Sequence, residues 1–182
     1  MKVIKTEIQD LIVIQPTIFS DGRGYFQETY NEQKWIDSLG EVPRFVQDNE
    51  SMSQKGVLRG LHFQNPPFQQ GKLVRVVKGS VLDVAVDLRK NSPTYGQHFK
   101  VILSEENKLQ MYIPEGFAHG FLTLEDQTIF SYKCTNVYHP ESEGGLRWND
   151  PDLNIDWGID QPLLSEKDKV HKNFINFMTL FI

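Results

Sequence analysis

The segment GVLRGLHFQ, residues 56–64, places a guanidinium and an imidazole in a stretch that otherwise has the pattern of a buried strand. Arginine can bind a phosphate through two parallel hydrogen bonds, and histidine exchanges a proton near neutral pH. Successive side chains of a regular strand point to opposite faces, so Arg59 and His62 would lie on different sides of the sheet. Gly60 lies between them, and glycine often marks a bulge. We therefore expect the strand to bend at Gly60 and to bring both side chains into one pocket.

Three more side chains have the types that acid and base chemistry needs. Lys72 precedes an apolar strand pattern in QQGKLVRV, His119 follows a Pro and Gly turn in IPEGFAHGF, and Tyr132 shares a strand face with Phe130 in TIFSYKC. A single histidine or lysine at a strand end is more often solvated or structural than catalytic. A tyrosine in such a pattern is often a core aromatic whose hydroxyl has a partner. Each residue therefore carries weight only if the fold brings it to the others.

Arg23 has a glycine on each side in SDGRGYF. Glycine permits positive φ and lets a ligand approach the backbone closely. The same residues are also typical of a hairpin turn with a solvated arginine. Both interpretations stay open from the residues alone.

Short strands must position these residues. Apolar residues alternate, or run in short blocks, between segments rich in Gly, Pro and Asn. This spacing is typical of an antiparallel sandwich or barrel. Segment 72–88 is the clearest hairpin, with its turn at 78–80 and an arm that places four apolar side chains on one face: Leu82, Val84, Val86 and Leu88. Two segments instead predict short helices, one ending at Gly40 and one opened by Ser165 as its N-cap.

Composition limits the classes of protein and partner. The 182 residues are 39% apolar and 24% charged, which predicts one domain over residues 1–182 with a substantial core. No run approaches the roughly 18 apolar residues of a membrane helix, the start lacks a signal-peptide pattern, and we expect a cytoplasmic protein. The net charge of −5 argues against a nucleic-acid partner and favours a small molecule or a second copy of the chain. Cys134 is the only cysteine, so we expect a packed thiol.

The segments GLHFQ and IPEGFAH resemble the two metal-binding motifs of cupin-type jelly rolls. In those proteins a His-x-His pair, a following Glu and a later His hold the metal. Here Phe63 and Gln64 follow His62 in place of the second His, and Lys72 lies where an acidic ligand would be sought. Losing these donors and adding an ammonium disfavours a divalent cation, so we expect no metal and an anionic ligand.

Four segments of the chain resemble one known family. They are DGRGYFQETY, residues 45–96 around GVLRGLHFQ, YIPEGFAHGFLTL and GGLRWNDPDLNIDW. From about residue 5 to about residue 170 the chain is similar to the dTDP-4-dehydrorhamnose 3,5-epimerases, nucleotide-sugar epimerases of the cupin superfamily. The resemblance implies an all-β, cupin-type double-sheet jelly roll with short flanking helices. It also implies conversion of dTDP-4-dehydro-6-deoxy-D-glucose to dTDP-4-dehydro-L-rhamnose, in dTDP-L-rhamnose biosynthesis, without a cofactor.

The implied reaction needs a base, an acid on the opposite face of the sugar and a group that stabilises the enolate oxygen. The resemblance gives these roles to His62 as base, Tyr132 as proton donor and Lys72 at the enolate oxygen. An unperturbed tyrosine, with a pKa of about 10, is protonated at neutral pH and can donate. The chemistry therefore agrees with the residue types that the resemblance selects.

The resemblance implies that Asp168, in SEKD, orients the imidazole of His62. Alternatively, Asp168 is only an acidic residue in the first turn of the helix expected after Ser165, where it would favour the helix dipole. Asp83, in the second arm of the expected hairpin, is another candidate for the orienting role.

The resemblance further implies contacts to the nucleotide and the sugar. Arg23 and Arg59 match diphosphate contacts, and Phe26 and Tyr138 match residues that pack on thymine. The remaining matched contacts are polar or charged: Glu28, Gln47, Asn49, His119, Glu143 and Lys167. The family exchanges the strand that carries Arg23, Phe26 and Glu28 between subunits, so the resemblance implies a homodimer.

Several alternatives stay open at this stage. A mono-epimerase, or a 3,4-ketoisomerase acting on the same 4-keto sugar, would use similar residues. A non-catalytic sugar- or nucleotide-binding jelly roll would need neither a base nor an acid. A metal-dependent dioxygenase or isomerase would contain stoichiometric metal. Solvent-hydrogen exchange into the substrate and elemental analysis of the protein distinguish these classes.

Overall fold

Short strands make up most of the regular structure in the computed structural model, which describes residues 1–182. In chain order the strands are β1 (Lys2–Lys5), β2 (Ile12–Gln15), β3 (Ile18–Asp21), β4 (Gly24–Gln27), β5 (Gln47–Ser53), β6 (Leu58–Gln64), β7 (Lys72–Lys78), β8 (Ser80–Asp87), β9 (His98–Ser104), β10 (Gln110–Ile113), β11 (Phe117–Thr123), β12 (Thr128–Cys134) and β13 (Glu143–Gly145). The helical elements are α1 (Glu32–Leu39) and three 3₁₀ turns, at Pro140–Ser142, Asp168–Val170 and Phe174–Asn176.

The strands form two antiparallel sheets that share a core. The six-stranded sheet has the order β1-β2-β10-β7-β12-β5 and the five-stranded sheet the order β13-β6-β11-β8-β9, while β3 and β4 form a separate hairpin. Val74 and Phe130 of the first sheet pack with Val81 and Phe121 of the second in one buried cluster. This arrangement confirms the predicted all-β, cupin-type double-sheet jelly roll.

Both sheets are also covered on their outer faces. Trp35 of α1 packs against Ile12 of the six-stranded sheet. Trp157 and Phe181, from the C-terminal segment that follows β13 (residues 146–182), pack in one cluster with Val84 of the five-stranded sheet. Burying an apolar side chain of this size contributes about 1.5–3 kcal/mol, so these contacts hold the C-terminal segment beside the sheet.

The predicted hairpin over 72–88 is wrong, because β7 and β8 lie in different sheets. The turn at Gly79, where φ is +77°, carries the chain from one sheet to the other. β8 is buried on both faces, and Val81 and Ala85 face the core that the sheets share. The expected apolar face of this strand is correct, since its four members pack in the same cluster as Trp157 and Phe181: Leu82, Val84, Val86 and Leu88.

The two expected helices have different outcomes. α1 forms as predicted, with the side chain of Asn31 accepting from the N–H of Lys34 and Gly40 closing the helix at φ 82°. The second segment forms only the 3₁₀ turn Asp168–Val170, although Ser165 Oγ accepts the N–H of Asp168 as an N-cap would. The chain then leaves the helical path, because Lys172 bridges to Leu146 in extended conformation.

Two smaller features bear on the sequence analysis. Cys134 is only 1% exposed, which confirms a packed thiol. Among the helices, none has both the length and the apolar character that crossing a membrane requires.

Candidate functional site

Strand β6 bends at Gly60, as its sequence predicts. On the neighbouring strand β11, His119 is opposite His62 and Phe121 is opposite Arg59, so β6 has one residue more than β11 between these pairs. Gly60 has φ +125°, and a Cβ atom there would lie 2.5 Å from a Cα atom of β11. Only glycine fits this position. The bend brings Arg59 and His62 to the same cavity.

The main cavity, of about 480 Å³, opens between the two sheets. The five-stranded sheet contributes Arg59, His62 and His119 to its wall, and the six-stranded sheet contributes Lys72 and Tyr132. The C-terminal segment closes one side with five further residues: Leu163, Leu164, Ser165, Lys167 and Asp168. The fold therefore assembles all four predicted catalytic residues at one place.

His62 and Asp168 form a close pair at the wall of the main cavity. Nε2 of His62 lies 2.5 Å from Oδ1 of Asp168, whose side chain is 3% exposed. Ser165 Oγ donates to Oδ2 of the same carboxylate across 2.7 Å. Burial by itself raises the pKa of Asp168, but the hydrogen bonds from His62 and Ser165 bring it below its ordinary value. An ionised carboxylate can only accept, so Nε2 carries the proton and Nδ1 of His62 is left as the basic nitrogen.

Asp83 pairs with His119 and not with His62, so its candidacy for orienting His62 is wrong. Oδ1 and Oδ2 of Asp83 lie 2.9 and 3.1 Å from Nε2 of His119. The strand register explains this choice, because β8 pairs with β11 and not with β6. Burial raises the pKa of Asp83 and lowers that of His119, since both charged forms lose hydration.

Lys72 and Tyr132 come from adjacent strands of the six-stranded sheet. Lys72 is opposite Cys134 and Tyr132 is opposite Val74, which places all four side chains on the face toward the core. Burial lowers the pKa of Lys72, which has no ion-pair partner in the chain, and so makes its ammonium a better proton donor. Burial also raises the pKa of Tyr132, which keeps its hydroxyl protonated at neutral pH.

A second pocket, of about 290 Å³, shares His62, Lys72 and Tyr132 with the main cavity. It contains four of the residues predicted to contact substrate: Gln47, Asn49, Tyr138 and Glu143. The hydroxyl of Tyr138 donates to Glu143 across 2.8 Å, and Lys167 forms an ion pair with the same carboxylate. The three catalytic candidates thus lie where the two spaces meet.

The remaining predicted contacts lie away from this region of the same chain. Arg23 and Phe26 are exposed on the β3–β4 hairpin, where Arg23 pairs with Asp21. Glu28 follows the hairpin and pairs with Lys34 of α1. A single chain therefore brings none of the three hairpin contacts to the main cavity.

The positions that would distinguish a metal-binding cupin carry other side chains. Phe63 is 5% exposed and packs edge-on against Phe177 and Phe181. The amide nitrogen of Gln64 donates to the carbonyl groups of Phe68 and Val137. These contacts give both residues structural partners.

His171 also lies beside the pair of His62 and Asp168, although it was not among the residues predicted from the sequence. Its Nε2 lies 3.6 Å from Oδ1 of Asp168, and its ring meets that of His62 edge-on with centroids 5.7 Å apart. The spacing of three residues between Asp168 and His171 in DKVH is the signal that was available. That spacing puts two side chains on one side of a helical turn.

Comparison with known proteins agrees with this geometry. A family model described as dTDP-4-dehydrorhamnose 3,5-epimerase matches residues 5–176. A curated dTDP-4-dehydrorhamnose 3,5-epimerase from Methanothermobacter thermautotrophicus is 56% identical over 171 residues, which are 92% of this chain and 91% of the relative.

Two solved structures are similar over almost the whole chain. The dTDP-4-dehydrorhamnose 3,5-epimerase from Elizabethkingia anophelis has a TM-score of 0.92 and 52% identity, with 97% of both chains covered. The dTDP-6-deoxy-D-glucose-3,5-epimerase from Legionella pneumophila, in complex with dTDP-4-keto-L-rhamnose, has a TM-score of 0.93 and 51% identity, with 97% of this chain and 94% of the other covered. The chain therefore belongs to the dTDP-4-dehydrorhamnose 3,5-epimerase family.

Proposed function

We propose that this protein converts dTDP-4-dehydro-6-deoxy-D-glucose to dTDP-4-dehydro-L-rhamnose, a step of dTDP-L-rhamnose biosynthesis, by inverting C3 and C5. The observation that carries the proposal is the placement of His62, paired with Asp168, on one sheet and Tyr132 on the other, with both side chains at the same cavity. A base and an acid on opposite walls are what inversion at carbon requires. Family membership agrees with this reading.

In the proposed mechanism Nδ1 of His62 removes a proton from the carbon next to the C4 ketone. The electron pair of the C–H bond moves into an enolate, whose oxygen accepts a hydrogen bond from the ammonium of Lys72. Tyr132 then gives its hydroxyl proton to the opposite face of the carbon. Asp168 holds the imidazole of His62 in position and stabilises it while it is charged. Solvent takes the proton from His62 and returns one to Tyr132, so both side chains regain their starting protonation states. The step involves no net redox change.

The nucleotide half of the substrate matches the charge around the two pockets. We propose that Arg59 binds the diphosphate, since its guanidinium lines the main cavity and is positioned by Ser53 Oγ at 3.1 Å. His119 and Lys167 line the same space and complete the sugar and diphosphate contacts. In the second pocket Gln47, Asn49, Tyr138 and Glu143 provide hydrogen bonds and an aromatic surface for the thymidine.

We also propose that the protein is a homodimer that exchanges its β3–β4 hairpin. This hairpin pairs only with itself, and Phe19, Tyr25 and Phe26 on it are 57%, 55% and 64% exposed. Phe19 and Phe26 are paired across the two strands on one face of the hairpin, with ring centroids 6.4 Å apart, and exposed aromatic surface of this kind is typical of a protein interface. The side chain of Arg23 is 91% exposed, as expected of a residue that completes the site of a second copy together with Phe26 and Glu28.

Two further expectations are part of the proposal. Both sheets and the C-terminal segment contribute to one cavity, which supports a single functional domain over residues 1–182. A cytoplasmic location stays a prediction that cell fractionation would test.

The proposed function is tested by running the reaction in deuterated water and analysing the sugar by NMR. The 3,5-epimerase introduces deuterium at both C3 and C5 with inversion at both carbons. Label at one carbon only would identify a mono-epimerase, and a carbonyl moved to C3 would identify a ketoisomerase. A binding protein without catalysis would leave the sugar unlabelled. Activity that disappears on metal removal and returns on metal addition would instead identify a metal-dependent enzyme.

A further inference from the structure

We propose that His62, Asp168 and His171 form a binding site for one divalent transition-metal ion such as Zn²⁺, and that the bound ion inhibits the enzyme. The inhibition rests on the proposed function, because it follows from occupying the imidazole that acts as base. The binding itself rests only on the geometry of the three side chains.

The donor atoms already lie close together. One ligand atom from each of His62, Asp168 and His171 lies within 4.8 Å of the other two. Nε2 of His62 is 2.5 Å and Nε2 of His171 is 3.6 Å from Oδ1 of Asp168. Two imidazoles and a carboxylate are a common donor set for Zn²⁺. Because His62 and Asp168 line the main cavity, a water molecule can occupy the fourth position. The site differs from the cupin pattern, since two of its three donors come from the C-terminal segment.

Nε2 of His171 is the atom that suggests a ligand. It is buried and has no hydrogen-bond partner. Buried polar atoms in proteins nearly always have one, so an unpartnered imidazole nitrogen directed at a carboxylate needs an explanation. The backbone next to it is fixed, because Lys172 bridges to Leu146 and its carbonyl accepts from the N–H of Arg147 at 2.9 Å. A metal ion would supply the missing partner. It would also replace the proton on Nε2 of His62, and the neutral ring would then carry its proton on Nδ1, the nitrogen that otherwise acts as base.

Gly145 provides the room for this second imidazole. Gly145 is opposite His62 in the pairing of β13 with β6. A Cβ atom at residue 145 would lie 2.4 Å from ring atoms of His171. Any other residue at this position would therefore displace the ring of His171 from the face of the sheet that carries His62.

The donor set itself includes a charge that attracts a cation. Asp168 supplies one negative charge, and the imidazoles bind metal in their neutral form. Three lysines flank the donors in the sequence, Lys167, Lys169 and Lys172. The first is paired with Glu143 and the second with Glu166. Glu143 belongs to the same strand as Gly145, offsets the charge of Lys167 and lines the second pocket, which also contains His62.

Spectroscopy with Co²⁺ tests the binding without reference to activity. Full-length protein, first treated with a chelator, is titrated with Co²⁺ and the visible d–d bands are recorded. We expect bands that saturate at one equivalent and disappear when Zn²⁺ displaces Co²⁺. His171→Phe should weaken binding at least about tenfold, the loss that even an outer-shell change typically causes. Gly145→Ala should weaken it as well, although all three donors remain.

A matched control removes an imidazole elsewhere. His98 lies on β9, three strands away from β6 in the five-stranded sheet. His98→Gln should bind Co²⁺ as the unmodified protein does. Circular dichroism identifies any variant that fails to fold. If His171→Phe does not fold, the Co²⁺ titration of Gly145→Ala provides the test instead.

The inhibition is measured separately. We expect Zn²⁺ to inhibit the unmodified enzyme and a chelator to restore activity. His171→Phe should need at least about tenfold more Zn²⁺ to lose half of its own metal-free activity. Absent Co²⁺ bands, or bands unchanged in both His171→Phe and Gly145→Ala, would overturn the site. Bands in a protein that lacks epimerase activity would uphold the site and overturn the proposed function instead.

Discussion

Oδ1 of Asp168 accepts a hydrogen bond from Nε2 of His62 across 2.5 Å, although 106 residues separate the two along the chain. The contact joins strand β6 to a short turn of the C-terminal segment. That segment is held by apolar packing on the outer face of the same sheet. The orientation of the proposed base therefore depends on a segment that forms none of the strands and whose β-pairing is limited to isolated bridges.

Replacing Asp168 by Asn should separate catalysis from binding. The amide keeps the size of the side chain but lacks the charge that stabilises a protonated imidazole. We expect kcat to fall by about 10²- to 10⁴-fold, the usual contribution of an acid or base group, while dTDP affinity changes little. Steady-state kinetics and calorimetric titration with dTDP measure the two effects. A variant with normal kcat and reduced stability would support the purely structural role of an acidic residue in a turn.

Tyr132→Phe should uncouple exchange from inversion. Without the phenolic proton, His62 can still form the enolate and return a proton to the face from which it came. In deuterated water we expect label to enter the recovered substrate while epimerised product falls at least about 10²-fold. NMR of the sugar distinguishes the two. Loss of exchange and product together would assign Tyr132 to enolate formation rather than to reprotonation.

Lys72→Met should stabilise the fold while it removes activity. Because burial lowers the pKa of Lys72, the unfolded chain binds the proton more tightly than the folded chain does. This penalty lowers the free energy of unfolding of the wild-type protein at neutral pH. The penalty is largest below the folded-state pKa and vanishes above the unfolded value of about 10.4. We expect a Tm higher by about 2–4 °C at pH 7, a difference that shrinks toward pH 10.4, and a large loss of kcat. A lower Tm at pH 7 would show that the ammonium has a stabilising partner.

Subunit complementation tests the exchanged hairpin. A heterodimer of one His62→Ala chain and one Arg23→Ala chain has both defects in one site and neither in the other if the hairpin is exchanged. Such heterodimers, purified through two affinity tags, should have about half of the wild-type activity per dimer. The His62→Ala homodimer should be inactive, and the Arg23→Ala homodimer should have a raised KM. Heterodimers with no site of wild-type KM would contradict hairpin exchange.

Asp87 should govern acid stability away from the site. Burial raises its pKa, but hydrogen bonds from Arg89, Ser92 and Thr94 outweigh burial and hold the pKa below the ordinary value. Its contribution is therefore present above the unfolded pKa of about 3.9 and is lost as pH falls through the folded value. We expect Asp87→Asn to lower the free energy of unfolding by about 1–3 kcal/mol at pH 7. Urea titrations at several pH values should show the difference shrinking below pH 4.

Local sequence signals predicted those parts of the structure that depend on nearby residues. The bend at Gly60 follows from strand alternation and from the one residue without a side chain between Arg59 and His62. The ends of α1 follow from the capping residues Asn31 and Gly40. In each case the deciding interaction spans only a few positions of the chain.

Features set by long-range pairing were not predictable in the same way. A turn at Gly79 has the same residues whether it closes a hairpin or connects two sheets. The burial of β8 on both faces favours a connection between two sheets. Asp83 and Asp168 are both plausible partners for His62, and only the pairing of β8 with β11 decides between them. His171 reaches the site because Gly145 leaves space for its ring, and these two residues lie far apart in sequence.

The division of the proposed base and acid between two sheets has a consequence for product purity. The distance across the sugar from His62 to Tyr132 is the spacing between the layers, which core side chains such as Phe121 and Phe130, stacked at 4.2 Å, help to set. A loosened core would leave the base in place but move the acid out of reach. Such an enzyme would release more unchanged or half-inverted sugar. Stereochemical errors would therefore become detectable at a smaller loss of core packing than unfolding requires.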